Sequence, residues 1–203
     1  MIAIIDYGVG NLFSLISSFE KIGAEIVVTA DPQVISSADG IILPGVGAFS
    51  DAAKKLRDSG LDKVIIEQAK TGKKLMGICL GMQMLFEKSF EYGVHNGLGL
   101  LKGNIVPMKD KIPENLKIPH IGWNALHFTC ESNLFKYINP NDCVYFVHSF
   151  YATDCDDSVI ATAEYGKELT AAVQKDNIIG CQFHPEKSGE AGLNILRAFC
   201  EME

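Results

Sequence analysis

A cysteine between two glycines is the first place in this sequence where chemistry is expected. The segment Gly77-Ile78-Cys79-Leu80-Gly81 follows an apolar run and precedes a helical pattern. A tight turn from strand to helix can hold a nucleophile in a strained conformation, and small neighbours leave it room. The start of the helix also favours the reactive thiolate. A buried core cysteine, with glycines that allow close packing, fits the same five residues.

A thiolate nucleophile needs a base, and His184 in the string CQFHPEKSG is the best placed of the five histidines. It follows a strand-like run, Pro185 comes next, and Glu186 lies two residues on. Side chains two apart in extended backbone point the same way. We therefore expect Glu186 to accept a hydrogen bond from the imidazole and fix its tautomer. A strand-end histidine beside a surface glutamate is the plain alternative.

Attack on an acyl carbon creates a negatively charged oxygen, which backbone N–H groups can stabilise. The string LPGVGAF (43–49) ends an apolar run with Gly45 and Gly47. Their exposed amides could form an oxyanion hole together with the amide of Leu80. An ordinary tight turn would look the same in the sequence.

These segments follow the strands of a predicted α/β domain. Apolar runs predict strands at 2–8, 24–30, 39–47 and 73–79, and helical spacing predicts helices at 11–22, 49–58, 61–71 and 80–88. This alternation is typical of a mainly parallel central sheet with helices on both faces. Active sites of such sheets form beyond the carboxyl ends of the strands, where the glycine turns fall.

The second half of the chain has a different pattern. Short strand-like runs separated by Pro, Gly, Asn and Asp predict added, partly antiparallel strands within 100–108, 118–128, 142–152, 159–166, 169–177 and 178–186. Helical spacing returns at 188–201. Since no repeat or linker interrupts the chain, we expect residues 1–203 to form a single domain.

Composition narrows the function further. The chain has 203 residues, is 47% hydrophobic and carries a net charge of −7, so nucleic acid is not an expected partner. The apolar N-terminus lacks a basic region and contains Asp6, and no apolar stretch is long enough for a membrane span. The six cysteines are scattered without metal-ligand spacing. We expect a cytoplasmic protein with reduced thiols and neither a metal nor a cofactor.

The strings PGVGAF, GICLGMQ and HPE together resemble the class I glutamine amidotransferases. The resemblance implies a flavodoxin-like fold and a triad of Cys79, His184 and Glu186 that hydrolyses glutamine to glutamate and ammonia. It also implies the remaining contacts of the site: oxyanion or substrate binding by Gly45, Val46, Gly47, Leu80 and Gln83, and glutamine contacts from the backbone of His148, Ser149 and Phe150.

Four further strings, IDYGVGNL, IPHIGWN, FVHSFY and HPEKSG, resemble one branch of that family, the glutaminase subunits of histidine biosynthesis. In this branch ammonia passes to a separate (β/α)8-barrel cyclase subunit. The resemblance covers residue 2 to the last helix and implies that Asn11, Trp123 and Lys187 lie at or near the cyclase-facing surface. It also implies that PGVG is mispositioned until the cyclase binds its ligand. Composition alone would make Trp123 a core anchor and Lys187 a solvated lysine.

The sequence is also compatible with other functions. The chain could be another amidotransferase or a γ-glutamyl hydrolase on the same fold, or a two-chain relative that supplies ammonia for surface-sugar modification. A catalytically silent binding subunit would be expected to have a damaged triad, whereas all three triad residues are present.

Overall fold

A computed structural model describes residues 1–202, and eight of its strands form one central sheet. The fourteen strands are β1 Ile2–Ile5, β2 Ile26–Thr29, β3 Gly40–Leu43, β4 Lys74–Ile78, β5 Lys88–Ser89, β6 His95–Asn96, β7 Asn104–Pro107, β8 His120–Ala125, β9 His127–Phe128, β10 Cys143–His148, β11 Phe150–Thr153, β12 Val159–Glu164, β13 Glu168–Lys175 and β14 Ile178–Cys181.

The central sheet has a parallel part and an antiparallel part. Its order is β2-β1-β3-β4-β14-β13-β12-β9. The first five strands pair in parallel, and the pairs from β14 to β9 are antiparallel. The remaining strands form a β10-β8 ribbon and a four-stranded sheet, β11-β7-β5-β6. The predicted α/β fold with antiparallel additions is confirmed.

Six helices cover both faces of the sheet: α1 Leu12–Lys21, α2 Pro32–Ser37, α3 Phe49–Asp58, α4 Leu61–Lys70, α5 Leu80–Met84 and α6 Gly189–Glu201. Phe19 of α1 and Phe199 of α6 pack with Ile4 and Ile42 on one face. Helices α2 to α5 pack on the other face, against alternate residues of the same strands such as Ile41. The period-2 alternation of the strands thus supplies two cores. No helix among residues 1–202 is long and apolar enough to cross a bilayer.

The end of one helix was predicted wrongly, and another helix was missed. Helix α5 ends at Met84 rather than at residue 88, because the carbonyls of residues 84–86 accept hydrogen bonds from the amides of residues 98–101. Helix α2 was missed, although Asp31 caps it through the Gln33 amide and Pro32 occupies its first position.

The carboxyl ends of three adjacent strands position the site. In the sheet register Leu43 of β3 pairs with Gly77 of β4, and Ile78 of β4 pairs with Cys181 of β14. The segments that leave these strands, 44–47, 79–81 and 182–184, therefore start side by side at one edge of the sheet.

Candidate active site

Cys79 lies in the turn between β4 and α5. Its backbone torsions are φ 54° and ψ −110°, a conformation that a non-glycine residue adopts only when its surroundings enforce it. Its amide donates to the carbonyl of Cys181 at 2.7 Å, so the neighbouring strand holds the turn. The thiol is 7% exposed and lines a cleft at the end of the sheet.

The two glycines of this turn are required by close backbone approaches. A Cβ atom on Gly81 would lie 1.8 Å from the carbonyl oxygen of Leu43. A Cβ atom on Gly77 would lie 2.6 Å from the carbonyl of Gly81. Neither gap admits a side chain, since the obstructing atoms are backbone. The glycines therefore let β3 and α5 approach the Cys79 turn at contact distance.

His184 lines the same cleft as Cys79, and its ring lies close enough to the thiol for the two groups to interact electrostatically. Its Nδ1 donates to Oε1 of Glu186 at 2.7 Å, and the two side chains are 3% and 5% exposed. Because Nδ1 is occupied by the carboxylate, Nε2 is the nitrogen left for the thiol. Nucleophile, base and orienting carboxylate thus form one contiguous, buried chain.

The backbone that joins His184 to Glu186 differs from our prediction. We expected an extended strand on which the two side chains share a side, and this was wrong. Strand β14 ends at Cys181, and Pro185–Lys187 form a 3-10 turn. The hydroxyl of Ser188 donates to the His184 carbonyl at 2.6 Å and holds this turn. Glu186 reaches the ring because the chain bends back.

The surroundings of His184 favour its charged form. Burial by itself would lower the pKa of the ring, but the hydrogen bonds and charges of Cys79 and Glu186 outweigh it and raise the pKa to about 9. The ring is therefore an imidazolium at neutral pH. Such a ring can stabilise a thiolate and later donate its proton to a leaving amine.

A cleft of about 320 Å³ opens in front of the thiol. Nine of the residues predicted for the site line it: Val46, Gly47, Cys79, Leu80, Gln83, His148, Ser149, Phe150 and His184. The other two predicted residues, Gly45 and Glu186, lie behind this lining, where they contact Leu80 and His184 respectively. The fold therefore brings together side chains from sequence positions 45 to 186.

The predicted oxyanion segment adopts a closed conformation. The amide of Leu80 donates to the carbonyl of Gly45 at 3.3 Å. The hydroxyl of Tyr7 donates to the preceding carbonyl, that of Pro44, at 2.7 Å. Burial and the nearby Cys79 raise the pKa of Tyr7, so its phenol remains a neutral donor. The Gly45 carbonyl thus accepts the hydrogen bond of the Leu80 amide, the donor that an oxyanion would need.

The side-chain amide of Gln83 has its NH₂ group engaged inside the protein. Nε2 donates to the carbonyl of Phe150 at 3.3 Å and to Oε1 of Gln182 at 3.0 Å. A backbone carbonyl can only accept, so these contacts orient the amide. Its Oε1 is therefore the group left to accept a hydrogen bond from a molecule in the cleft.

Two buried histidines support the wall of the cleft that contains Phe150. Nδ1 of His148 donates to the Phe150 carbonyl at 2.8 Å, which leaves its Nε2 to accept from Nδ1 of His120 at 3.1 Å. Burial lowers the pKa of both rings, that of His148 to about 3. The His120 ring is stacked between Phe146 and Tyr165. The neutral pair fixes the Phe150 carbonyl, which in turn holds Gln83.

Four lining residues were missed by sequence reasoning: Glu91, Tyr92, Pro119 and Val147. Glu91 is the chemically important one, because its Oε2 accepts from the Phe49 amide at 2.7 Å and is thereby held at the cleft. Its only sequence signal was a carboxylate close to a turn glycine, Gly93, and no spacing relates it to Cys79. The small sheet that carries it reaches the site through tertiary contacts alone.

The three residues predicted to face a partner are all at the surface. Trp123 is 57% exposed on β8 and packs edge-on against Tyr145, over which the Nζ atom of Lys187 lies at 5.9 Å. Asn11 lies exposed directly before α1, and its side chain donates to the hydroxyl of Ser14 at 3.2 Å. Burial of Trp123, which composition alone favours, does not occur. Among residues 1–202, no group of three or more His, Cys, Asp or Glu side chains has metal-binding geometry.

The family model and the named relatives that match this chain agree on one family. The model of the family glutamine amidotransferase class-I matches residues 3–202. A protein of Lactococcus lactis subsp. lactis named imidazole glycerol phosphate synthase subunit HisH is 50% identical over 201 residues, 98% of each chain. A protein of the same name from Methanothermobacter thermautotrophicus is 49% identical over 203 residues, 100% of this chain and 98% of that one.

Solved structures share the fold at lower identity. A crystal structure of a glutamine amidotransferase superposes with a TM-score of 0.76 at 16% identity, covering 98% of this chain and 100% of that one. The glutaminase domain of Trypanosoma brucei CTPS with bound acivicin gives a TM-score of 0.70 at 14% identity, covering 100% and 94%. These likenesses concern the fold.

Proposed function

The chain belongs to the class-I glutamine amidotransferase family, and on this basis we propose how it acts as the glutaminase subunit of an imidazole glycerol phosphate synthase. Its full-length relatives at 49–50% identity bear that name. It hydrolyses glutamine to glutamate and ammonia for histidine biosynthesis. The observation that carries this proposal is the buried Cys79–His184–Glu186 chain at one end of a cleft.

The reaction runs through a thioester. The Cys79 thiolate forms a bond to the carboxamide carbon of glutamine, and the carbonyl electron pair moves to the oxygen. The tetrahedral intermediate collapses, the C–N bond breaks, and Nε2–H of His184 gives its proton to the departing nitrogen. Neutral His184 then takes a proton from water, whose oxygen attacks the thioester carbon. Glutamate leaves, and the thiolate–imidazolium pair is restored, with Glu186 keeping the ring in place.

Gln83, Glu91 and the 148–150 segment hold the substrate. The fixed carboxylate of Glu91 is suited to the α-ammonium group of glutamine, as an opposite charge at the cleft. The Oε1 atom of Gln83 accepts from an N–H group of the ligand. The backbone around Ser149 contacts the amino-acid end of glutamine, so the carboxamide is directed to Cys79.

Turnover requires the segment 44–47 to reorient. The Gly45 carbonyl now accepts the Leu80 amide, and this amide must be free to stabilise the tetrahedral oxygen. Gly47 has φ 97°, a conformation in which a peptide can turn without Cβ strain. In the isolated chain this segment keeps glutaminase activity low, and binding of the cyclase with its nucleotide ligand releases it.

The partner is a (β/α)8-barrel cyclase that receives the ammonia. Asn11, Trp123 and Lys187 lie on the face that we assign to it, together with Phe13, whose side chain is 79% exposed. Exposed aromatic rings such as those of Phe13 and Trp123 are enriched in protein interfaces. We place the complex in the cytoplasm, a reducing compartment that suits six free thiols. We also propose that residues 1–203 form one domain.

The triad is tested with the assembled synthase. Cys79→Ala should lower glutamine-dependent synthesis by at least about 1000-fold, since the nucleophile is lost, while synthesis supported by ammonium chloride remains. Cys130→Ala removes an exposed thiol outside the cleft and should change neither rate. Glutamine-driven turnover that survives in Cys79→Ala would refute the nucleophile. Glutamine hydrolysis that never feeds the histidine-pathway nucleotide would refute the acceptor but keep the glutaminase.

A further inference from the structure

Gln182 is a completely buried amide between the nucleophile and the substrate-binding glutamine. It follows β14, two residues before His184, and its exposed fraction is 0%. Its Oε1 accepts from Nε2 of Gln83 at 3.0 Å, and its Nε2 lies 3.9 Å from Sγ of Cys79, within hydrogen-bond range for sulfur. One side chain therefore touches two parts of the site.

The direction of these hydrogen bonds follows from one fixed acceptor. The Phe150 carbonyl can only accept, so the NH₂ group of Gln83 faces it and the same group donates to Gln182. Gln182 must then present its oxygen to Gln83 and its NH₂ group to Cys79. The orientation of both amides is therefore fixed: Gln83 donates to Gln182, and Gln182 donates to the sulfur of Cys79.

Packing alone does not explain an amide at this position. Burying an unpaired amide is costly, and an apolar side chain of similar length would fill the same space without that cost. The next residue in the sequence, Phe183, is apolar and equally buried. What glutamine adds over methionine is one acceptor for Gln83 and one donor for the thiolate.

We propose that Gln182 is a positioning residue that sets the Gln83 amide and the Cys79 thiolate relative to each other through one hydrogen-bond chain. Its NH₂ group favours the thiolate over the thiol, and its oxygen keeps Oε1 of Gln83 turned into the cleft. Gln182 does not touch glutamine and acts through these two residues. The inference rests on the proposed glutaminase function.

Two alkylating reagents separate the two roles in the assembled synthase, with the cyclase and its nucleotide ligand bound. Iodoacetamide reports the thiolate at Cys79 and needs no binding site, and its rate is measured against pH. A diazo-ketone analogue of glutamine reports binding through its saturation constant and chemistry through its limiting rate, with the modified residue located by mass spectrometry. For Gln182→Met, we expect alkylation of Cys79 at neutral pH to slow about tenfold, and the analogue's saturation constant to rise about tenfold.

Gln174→Met is the matched control. Gln174 is an amide on the adjacent strand β13, and its hydrogen bonds go to Ser132 and Asp176, away from the cleft. This variant should leave both readouts within about twofold of the wild type. Equal behaviour of Gln182→Met and Gln174→Met would overturn the proposal.

Gln182→Glu gives a second measurement if Gln182→Met does not fold. It keeps an acceptor for Gln83 but replaces the donor to sulfur by an oxygen, so alkylation should slow while the saturation constant stays within about twofold. Wild-type alkylation rates in Gln182→Glu would overturn the proposal. Failure of the analogue to label Cys79 in the wild type would instead refute the glutaminase function on which the inference rests.

Discussion

Replacing Glu186 by glutamine removes a charge from the triad with little change in shape. The carboxylate oxygen accepts the Nδ1–H of His184 at 2.7 Å, and an amide oxygen can take the same place. The ring should therefore keep its tautomer and orientation. What is lost is the attraction between a buried negative charge and the imidazolium, two side chains that are only 3% and 5% exposed.

The magnitude follows from the difference between the two kinds of hydrogen bond. A bond to a charged group contributes about 1.5–3 kcal/mol and a neutral one about 0.5–1.5 kcal/mol. From the midpoints of these ranges, the exchange should destabilise the protonated ring by about 1.25 kcal/mol, which is close to one pKa unit. We expect the pKa of His184 to fall from about 9 to about 8 in Glu186→Gln.

The pKa also governs stability against pH. Since the pKa of His184 is higher in the folded chain than the ordinary value of 6.5, its contribution to the free energy of unfolding is full below pH 6.5 and is lost as the pH rises to about 9. In Glu186→Gln this loss should be smaller and complete near about pH 8.

Ring signals of the five histidines in NMR titrations measure the pKa directly, and His184→Gln identifies the signal by its absence. Urea unfolding between about pH 6 and about pH 9.5 measures the linkage. Glu190→Gln makes the same chemical change at an exposed residue nearby on α6 and should leave the His184 pKa unchanged. A pKa in Glu186→Gln within about 0.3 units of the wild type would refute this account of the triad.

Two further predictions concern the fold around the site. Gly81→Ala places a Cβ atom 1.8 Å from the Leu43 carbonyl oxygen and should lower the free energy of unfolding, measured in urea, by more than about 3 kcal/mol. Gly60→Ala is the control, because Gly60 has open space around it but φ 74°, and it should cost about 1 kcal/mol. Equal losses in the two variants would contradict the steric reason. Because burial lowers the pKa of His148 to about 3, its neutral form stabilises the fold fully above about pH 6.5, and stability should fall as the pH drops towards about 3. His148→Gln should flatten this acid dependence in the same urea assay, and an unchanged slope would contradict the buried neutral ring.

The local patterns predicted the elements well where short-range contacts decide them. Helical spacing predicted α3 at its observed bounds, Phe49–Asp58, because its apolar stripe packs on one face of the sheet. The end of α5 could not be predicted in this way. The carbonyl of Leu85 accepts from the amides of Leu100 and Leu101, a competition from residues fifteen positions away that periodicity within the helix does not record.

The same distinction between local and long-range contacts applies to the residues of the site. The turn around Cys79 and the short step from His184 to Glu186 are local, and the sequence indicated both, although the latter pair meets through a turn rather than a strand. Glu91 and Gln182 were missed because their roles depend on which strands are adjacent. Gln182 lies within the quoted string CQFHPEKSG, yet only the pairing of β14 with β4 brings its amide next to the Cys79 turn.

Under the proposed reorientation of segment 44–47, one peptide controls the reaction. Cys79, His184 and Glu186 are already assembled, so activation does not need to build the triad. The bond that this proposal requires to break, from the Leu80 amide to the Gly45 carbonyl, is long at 3.3 Å, whereas the bond from Tyr7 to the preceding carbonyl is 2.7 Å. A net hydrogen bond contributes about 1 kcal/mol, which lies within the about 1–3 kcal/mol that allosteric coupling supplies. A missing oxyanion donor costs about 100- to 1000-fold in rate. A partner can therefore switch a large change in rate with a small part of its binding energy.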